Sequence, residues 1–280
     1  MSDGTTGVPL LDHPLRAPSA FTPEALLEAV RLERSLASER VPDVCILEFD
    51  GDLTDWLAAT GRVTRWPSWP CFHTAMNVVD VDGGRVGVLA RTIGGPYAVL
   101  VAEQLAASGA RVILGLTSAG RVSPNLPVPS LVVPTTAVRD EGTSYHYVPA
   151  AATVAADADL VKALGEELVH IGLPVAAGRV WTTDAPYRET REQLDRQAAD
   201  GVLAVEMQAA SLYAFGAARG VCCGIVAHVT NAVGRSQGDQ FHKGSDQLGF
   251  EILTAMYRAG RRCLTAPLDS VPPATVPSEG

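Results

Sequence analysis

The sequence predicts one large α/β domain, with two small ones as the alternative, and three observations lead there. The chain has 280 residues, 47% of them hydrophobic, enough to bury a sizeable core without covalent staples. "RVGVLART" (85–92), "IGGP" (93–96), "YAVLVAEQLAASG" (97–109) and "ARVILGLT" (110–117) run strand, glycine turn, helix, strand. That is the pattern of a parallel βαβ unit. Further strands and helices alternate after it, and no internal repeat is found.

Taken in order, residues 1–22 read as a flexible arm. The segment "TPEALLEAVRLERSLAS" (22–38) is a helix with Thr22 as N-cap, Pro23 in its first turn and Glu24 behind it. A short strand follows at 43–49. Helix 97–109 has apolar residues at helical spacing and closes on Gly109. Beyond the βαβ unit come strand 130–138, helix 157–172 closed by Gly172, strand 176–183, a polar helix at 187–201, and a buried helix at 206–220 closed by Gly220. Strand 221–230 is apolar, and helix 245–264 opens on Ser245 as N-cap. The tail 266–280 is Pro-rich and reads as disordered. The domain proper is thus expected over 23–265.

Composition excludes several classes. The net charge of −9 with no basic block argues against nucleic acid or an anionic membrane as partner. No apolar run approaches the roughly 20 residues that span a bilayer, and the start has no signal-peptide pattern. Five cysteines without a CxxC pair read as free thiols in a reducing, cytoplasmic setting. No metal and no cofactor is called for.

In parallel α/β sheets, ligands bind at the carboxyl ends of strands. Four polar or glycine-rich stretches fall at such points: "TIGGPY" (92–97), "TSAGR" (117–121), "TTDAPYRET" (182–190) and "TNAVGRSQGDQFHKG" (230–244). The start of "VEMQAASLYAF" (205–215) forms a fifth wall, and one shared pocket is expected among the five. Backbone N–H groups of Gly94 and Gly95 could cradle a ligand at a helix N-terminus, although a tight turn with Pro96 explains the same residues. Asp184 reads as a cap of a helix beginning at Pro186. His146 sits in "RDEGTSYHYVP" (139–149), a loop of charges and hydroxyls. A buried Glu206 needs partners, since a lone carboxylate among apolar groups is costly; backbone N–H groups or Arg188 could supply them. On a helix, Glu206 and Gln208 would lie about 200° apart.

Together, "IGGPYAVLVAEQLAASGA", "TSAGRVSPNLPVPSLVVPTTAVRDEGTSYHYVP", "VWTTDAPYRET" and "VEMQAASLYAFGAARGV" resemble the nucleoside phosphorylase and nucleosidase superfamily, in its order and spacing over about 85–232. The resemblance implies a twisted mixed β-sheet flanked by helices, a homo-oligomer (dimer or hexamer), and a small-molecule substrate. It implies cleavage of an N-glycosidic bond, with phosphate as a candidate co-substrate or water in its place. Met207 matches the methionine that packs on the sugar, Glu206 the first glutamate of the family's Glu-Met-Glu run, and Ser118 the hydroxyl that contacts phosphate. Ala119, Gly120, Gly94, Gly95 and Tyr187 complete the expected substrate site. Asn231 falls where a polar side chain meets the departing base, and Asn231, Gln208 and Arg188 are the expected catalytic set. In relatives a histidine reaches a neighbour's site, a role His13 in the arm could match.

The chain departs from the family in four places. The glutamate that binds the ribose diol is Gln208, which keeps the shape but loses the charge, and a charge-assisted hydrogen bond is roughly twice as strong as a neutral one. The arginine expected three residues before Ser118 is Gly115. The early phosphate loop is replaced by "FDGDLTDW" (49–56), whose acidity repels phosphate. The glutamine–arginine pair that reads uracil is also missing. Three functions follow: a phosphorylase using Arg91, Arg121, Arg139 or Arg188; a nucleosidase using water; or a homologue recruited to another small molecule.

Overall fold

The computed structural model describes residues 7–233 and 243–265. The disordered-tail expectation at 266–280 and most of the predicted loop 230–244 lie outside the described residues. Within them the chain is a single α/β unit whose mixed sheet is covered by helices on both faces, as the resemblance implies.

The first helix, α1 (Pro23–Arg34), starts as predicted: the Thr22 side chain accepts from Ala25 N at 3.3 Å. It ends four residues earlier than expected because Ser35 turns left-handed at φ 53°. Strand β1 (Val44–Glu48) is entirely buried and leads through Gly51 (φ 94°) into α2 (Asp52–Ala59), a helix the sequence reading missed. The hairpin strands β2 (Thr64–Arg65) and β3 (Met76–Val81) were also missed; β3 pairs antiparallel with β4 (Gly84–Ala90). Helix α3 (Gly95–Ala107) begins directly after Gly94, whose φ of 88° explains the glycine.

Strand β5 (Val112–Arg121) is the axis of the fold. Its first half lies between β1 and the last strand, β10 (Cys222–Ala232), all three parallel. It then runs straight through 117–121, where a loop was expected, because β10 continues to pair with it as far as Arg121 and β9 (Val202–Glu206) joins its end. Strands β6 (Ser130–Asp140) and β8 (Val175–Thr183) pair parallel with each other, β6 with β10, and β8 with β9. Strands β5, β10, β6, β8 and β9 therefore close into a ring. Strand β7 (Thr153–Ala155) edges β6.

Helix α4 (Ala158–Leu168) runs through a 3-10 turn to the predicted stop at Gly172. The polar helix α5 begins later than expected, at Arg191 (Arg191–Ala199), because Thr190 and Gln193 form a reciprocal capping box. The expected helix 206–220 is α6 (Ala209–Arg219): Glu206 ends β9, and Gln208 is the N-cap. Helix α7 (Asp246–Thr265) opens where predicted, with Ser245 Oγ accepting from Leu248 N at 3.2 Å.

One apolar layer lies between the sheet and α3 and α6; a second lies beneath α2, α4 and α7. All five cysteines are free thiols. Among the described residues no helix is long and apolar enough to cross a membrane. The described part of the arm carries a 3-10 turn, Pro9–Leu11, and lays the His13 ring on His146 of its own chain, centroids 3.9 Å apart.

Gly115 sits in the middle of β5 against apolar neighbours. A Cβ there would fall 2.8 Å from Phe49 Cε2 and 2.9 Å from Cζ, closer than real carbons approach. The space an arginine would need is filled by that ring and by Ile225. Gly115→Ala is expected to lower unfolding free energy by about 1–3 kcal/mol, as overpacking does. A denaturant titration with an unchanged midpoint would contradict that packing.

Candidate active site

Strand β9 ends on Glu206, and the chain must turn at once into α6, whose first backbone N–H groups have no intrahelical partner. Glu206, 3% exposed, meets them: its Oε2 accepts from Gln208 N at 2.6 Å and Ala209 N at 2.8 Å. Thr182 Oγ1 at the end of β8 donates to Oε1 at 2.5 Å and accepts from Ala210 N at 3.0 Å. The predicted need for partners is thus met by backbone and a hydroxyl, while Arg188 is exposed. Burial pushes the Glu206 carboxyl up to about 7, against these three hydrogen bonds and with repulsion from Glu141 added.

Gln208 is 2% exposed, and its Oε1 accepts from Thr117 Oγ1 and from Met207 N, both at 3.2 Å. This bond ties the start of α6 to the end of β5. Met207 between the two polar residues is half-buried. Ser211, one turn into α6, donates to Glu141 Oε2 at 2.6 Å, and a Cβ on Gly95 would strike its hydroxyl. The start of α3, with Gly94 and Gly95, therefore shares a face with the start of α6. Asn231 pairs across β10 with Gly120, after a bulge, and is half-buried; Ala119 is buried between them and Ser118.

Contacts and strand pairing thus join 117 to 208, 182 to 206, 120 to 231 and Gly95 to Ser211; positions 234 and 235 of the expected pocket lie outside the described residues. The structure does not bring in Tyr187, which is 100% exposed in a 3-10 turn, Pro186–Arg188. Asp184 does not cap that turn: its Oδ2 accepts from Gly142 N at 2.9 Å, tying the loop after β8 to the loop after β6.

The other arginines proposed for phosphate are engaged. Arg91 pairs with Asp55, and Arg121 donates to Leu126 O at 3.3 Å. Arg139 is buried, donating to Ser144 Oγ and Pro149 O, each at 2.7 Å.

The expected phosphate-contacting hydroxyl, Ser118 Oγ, donates to Asp50 Oδ2. Lys243 Nζ donates to the same oxygen at 2.9 Å and to Asp52 Oδ2 at 3.0 Å. Glu48, at the end of β1, accepts from Gly51 N at 2.7 Å, Thr54 N at 3.2 Å and Thr54 Oγ1 at 2.9 Å. These residues, with Thr117, His228 and the start of α7, line a cavity of about 570 Å³, open mouth included. Burial raises the Glu48 carboxyl in spite of its donors. Burial works against the Lys243 charge, but the two aspartates outweigh it and hold the amine protonated. Among the described residues, Asp50, Asp52 and Asp55 face two cations, Lys243 and Arg91. Among the described residues no three acidic, histidine or cysteine side chains are grouped to hold a metal ion.

Sequence reasoning missed Glu48, His228 and Lys243. His228 lies inside an apolar strand, and only its register opposite Ser118 marks it. Lys243 is brought to the cavity from far along the chain.

A family model described as the phosphorylase superfamily matches residues 44–262. Among curated relatives, the uridine phosphorylase of Escherichia coli is 30% identical over 164 residues, covering 54% of this chain and 65% of the relative. The guanosine phosphorylase of Halorubrum lacusprofundi is 31% identical over 172 residues, covering 59% and 67%. A DeoD-type purine nucleoside phosphorylase of Bacillus cereus is 30% identical over 146 residues, covering 50% and 60%. The chain thus spans 65% of the length of the uridine phosphorylase it matches.

The Glu206 carboxyl has a testable signature. Its folded pKa, about 7, lies above an unfolded value of about 4.3. The stability it contributes is fully present below pH 4 or so and is lost as pH rises through about 7, by at most roughly 4 kcal/mol. Glu206→Gln should remove this fall, so the stability difference between wild type and variant should shrink across that range. A difference that stays constant from pH 4 to 8 would contradict the assignment.

Proposed function

The chain belongs to the phosphorylase superfamily, and on that premise we propose that it cleaves the N-glycosidic bond of a nucleoside with water, not phosphate, as the acceptor. The observation that carries this reading is the bond from Ser118 Oγ to Asp50. A serine hydroxyl has one proton to donate. Given to a carboxylate, it is not available to a phosphate oxygen, and the carboxylate repels that oxygen besides. Gly115 leaves no room for the missing arginine, and Arg91 and Lys243 are neutralised by aspartates. The names of the relatives support nucleoside chemistry in general.

In this reading the sugar packs on Met207, Gln208 reaches its hydroxyls, and Asn231 hydrogen-bonds the departing base. The bond to the base lengthens first, and C1′ gathers positive charge. The carboxylates around the cavity favour that charge electrostatically, while Gln208 contributes only a neutral dipole.

With a panel of purine and pyrimidine nucleosides, turnover should be flat as phosphate is raised. A steep, saturable rise would overturn the reading. Asp50→Ala frees Ser118, leaves Lys243 held by Asp52 alone, and should bring phosphate dependence in; a variant as indifferent as the wild type would remove Asp50 from the argument.

The neutral Gln208 supports a second reading, in which the chain has been recruited to another small molecule. Gln208→Glu decides between them. Both contacts of Gln208 are made through Oε1 as acceptor, and a carboxylate keeps them. If a nucleoside is cleaved, the added charge should raise the rate by up to about fivefold, the equivalent of about 1 kcal/mol. A fall in nucleoside turnover would favour recruitment.

A further inference from the structure

Resting on the hydrolytic reading above, we propose that His228 is the general base that takes the proton from the attacking water. It lies on β10 in register with Ser118 of β5 and lines the cavity beside Asp50, Ser118 and Lys243. The residue is 8% exposed, and its Nε2 is buried with no hydrogen-bond partner among the described residues. Buried polar atoms in native folds are normally paired, and an unpaired one calls for a functional explanation.

The ionisable groups around the ring can be compared among the described residues. Asp50 holds Ser118 and Lys243, and Asp52 holds Lys243. Glu48 is consumed by the backbone and hydroxyl donors at the start of α2. Asp246, in the first turn of α7, is exposed at the mouth. Lys243 is a cation and has no lone pair to offer. Among the described residues lining the cavity, His228 Nε2 is the buried side-chain atom left without a partner. Burial, and then the Lys243 charge, pull its pKa below the ordinary histidine value, while Asp50 and Asp52 oppose them. At neutral pH the ring is therefore in the form that accepts a proton.

The step balances without a further reagent. As the C1′–N bond breaks, its electron pair leaves with the base, which takes a proton from solvent. Water oxygen bonds to C1′, its proton passes to an imidazole nitrogen, and the imidazolium later releases that proton to solvent. Thr117, which lines the cavity and donates to Gln208, connects this chamber with the 206–208 stretch.

The test compares wild type, His228→Asn and His228→Phe in phosphate-free buffer, with nucleoside turnover followed from pH 4.5 to 9 and folding checked by thermal melting. Wild-type kcat/KM should fall on the acid side with an apparent pKa below the ordinary 6.5 or so. Both variants, if they melt cooperatively, should lose roughly 10²–10⁴-fold in kcat, and the acid limb should vanish from what remains. NMR titration of the wild-type histidines gives an independent readout, in which one imidazole should titrate at the pKa of that limb and be missing from His228→Asn. Phosphate-free turnover with the acid limb intact in His228→Asn would overturn the proposal alone. Turnover only with phosphate, or of no nucleoside, would overturn the hydrolytic reading and the proposal together.

Discussion

A hydroxyl group has one proton, and the proton of Ser118 goes to Asp50. The chemistry of the cavity follows from that choice. Lys243 is drawn to the same carboxylate oxygen and to Asp52. Arg91 is held by Asp55 from the next turn of α2. Among the described residues, Lys243 and Arg91 are therefore each matched by an acid from one short segment, Asp50–Asp55. On the hydrolytic reading, an anion entering here would have to break ion pairs and displace a carboxylate. A water molecule would need to do neither.

The polar residues at the mouth of the apolar segment 205–215 have a physical explanation that also accounts for Glu48. Both Glu48 and Glu206 are the last residues of buried strands, and a helix begins within a few residues of each. Each carboxylate accepts two backbone N–H groups at its helix start and one threonine hydroxyl. Hydrogen bonds to a charged group contribute roughly 1.5–3 kcal/mol apiece, enough to offset much of the burial of an acid. In both, burial still wins and raises the carboxyl. The two glutamates so fix the angles at which α2 and α6 leave the sheet, and with them the positions of Asp50 and Gln208.

Much of this was legible in the sequence. The glycine turn at 93–96 and the apolar spacing of 97–109 gave β4, α3 and β5, and the Thr22 and Ser245 caps gave two helix starts, because these signals are local. What stayed hidden depends on partners distant in the chain. β9 is a run of five residues that only β8 and β5 make into a strand. The stretch 117–121 reads as a polar loop until β10 pairs along it. Asp50 was legible as an acid that repels phosphate, but its bond to Ser118 spans 68 positions. His228 was read as part of an apolar strand; its neighbours across the sheet make it chemically distinct. Tyr187 and Arg188 looked functional from their types alone, and the capping box at Thr190 leaves both on the surface.

The identity of the sugar product tests the central claim most directly. A nucleoside that the protein cleaves should be incubated with it in buffer containing ample inorganic phosphate, and the products separated and weighed by mass spectrometry. A closed anion site predicts free sugar and free base in equal amounts, with no phosphorylated sugar. Accumulation of a sugar 1-phosphate would show that phosphate enters beside Ser118 in spite of Asp50, and would contradict the account.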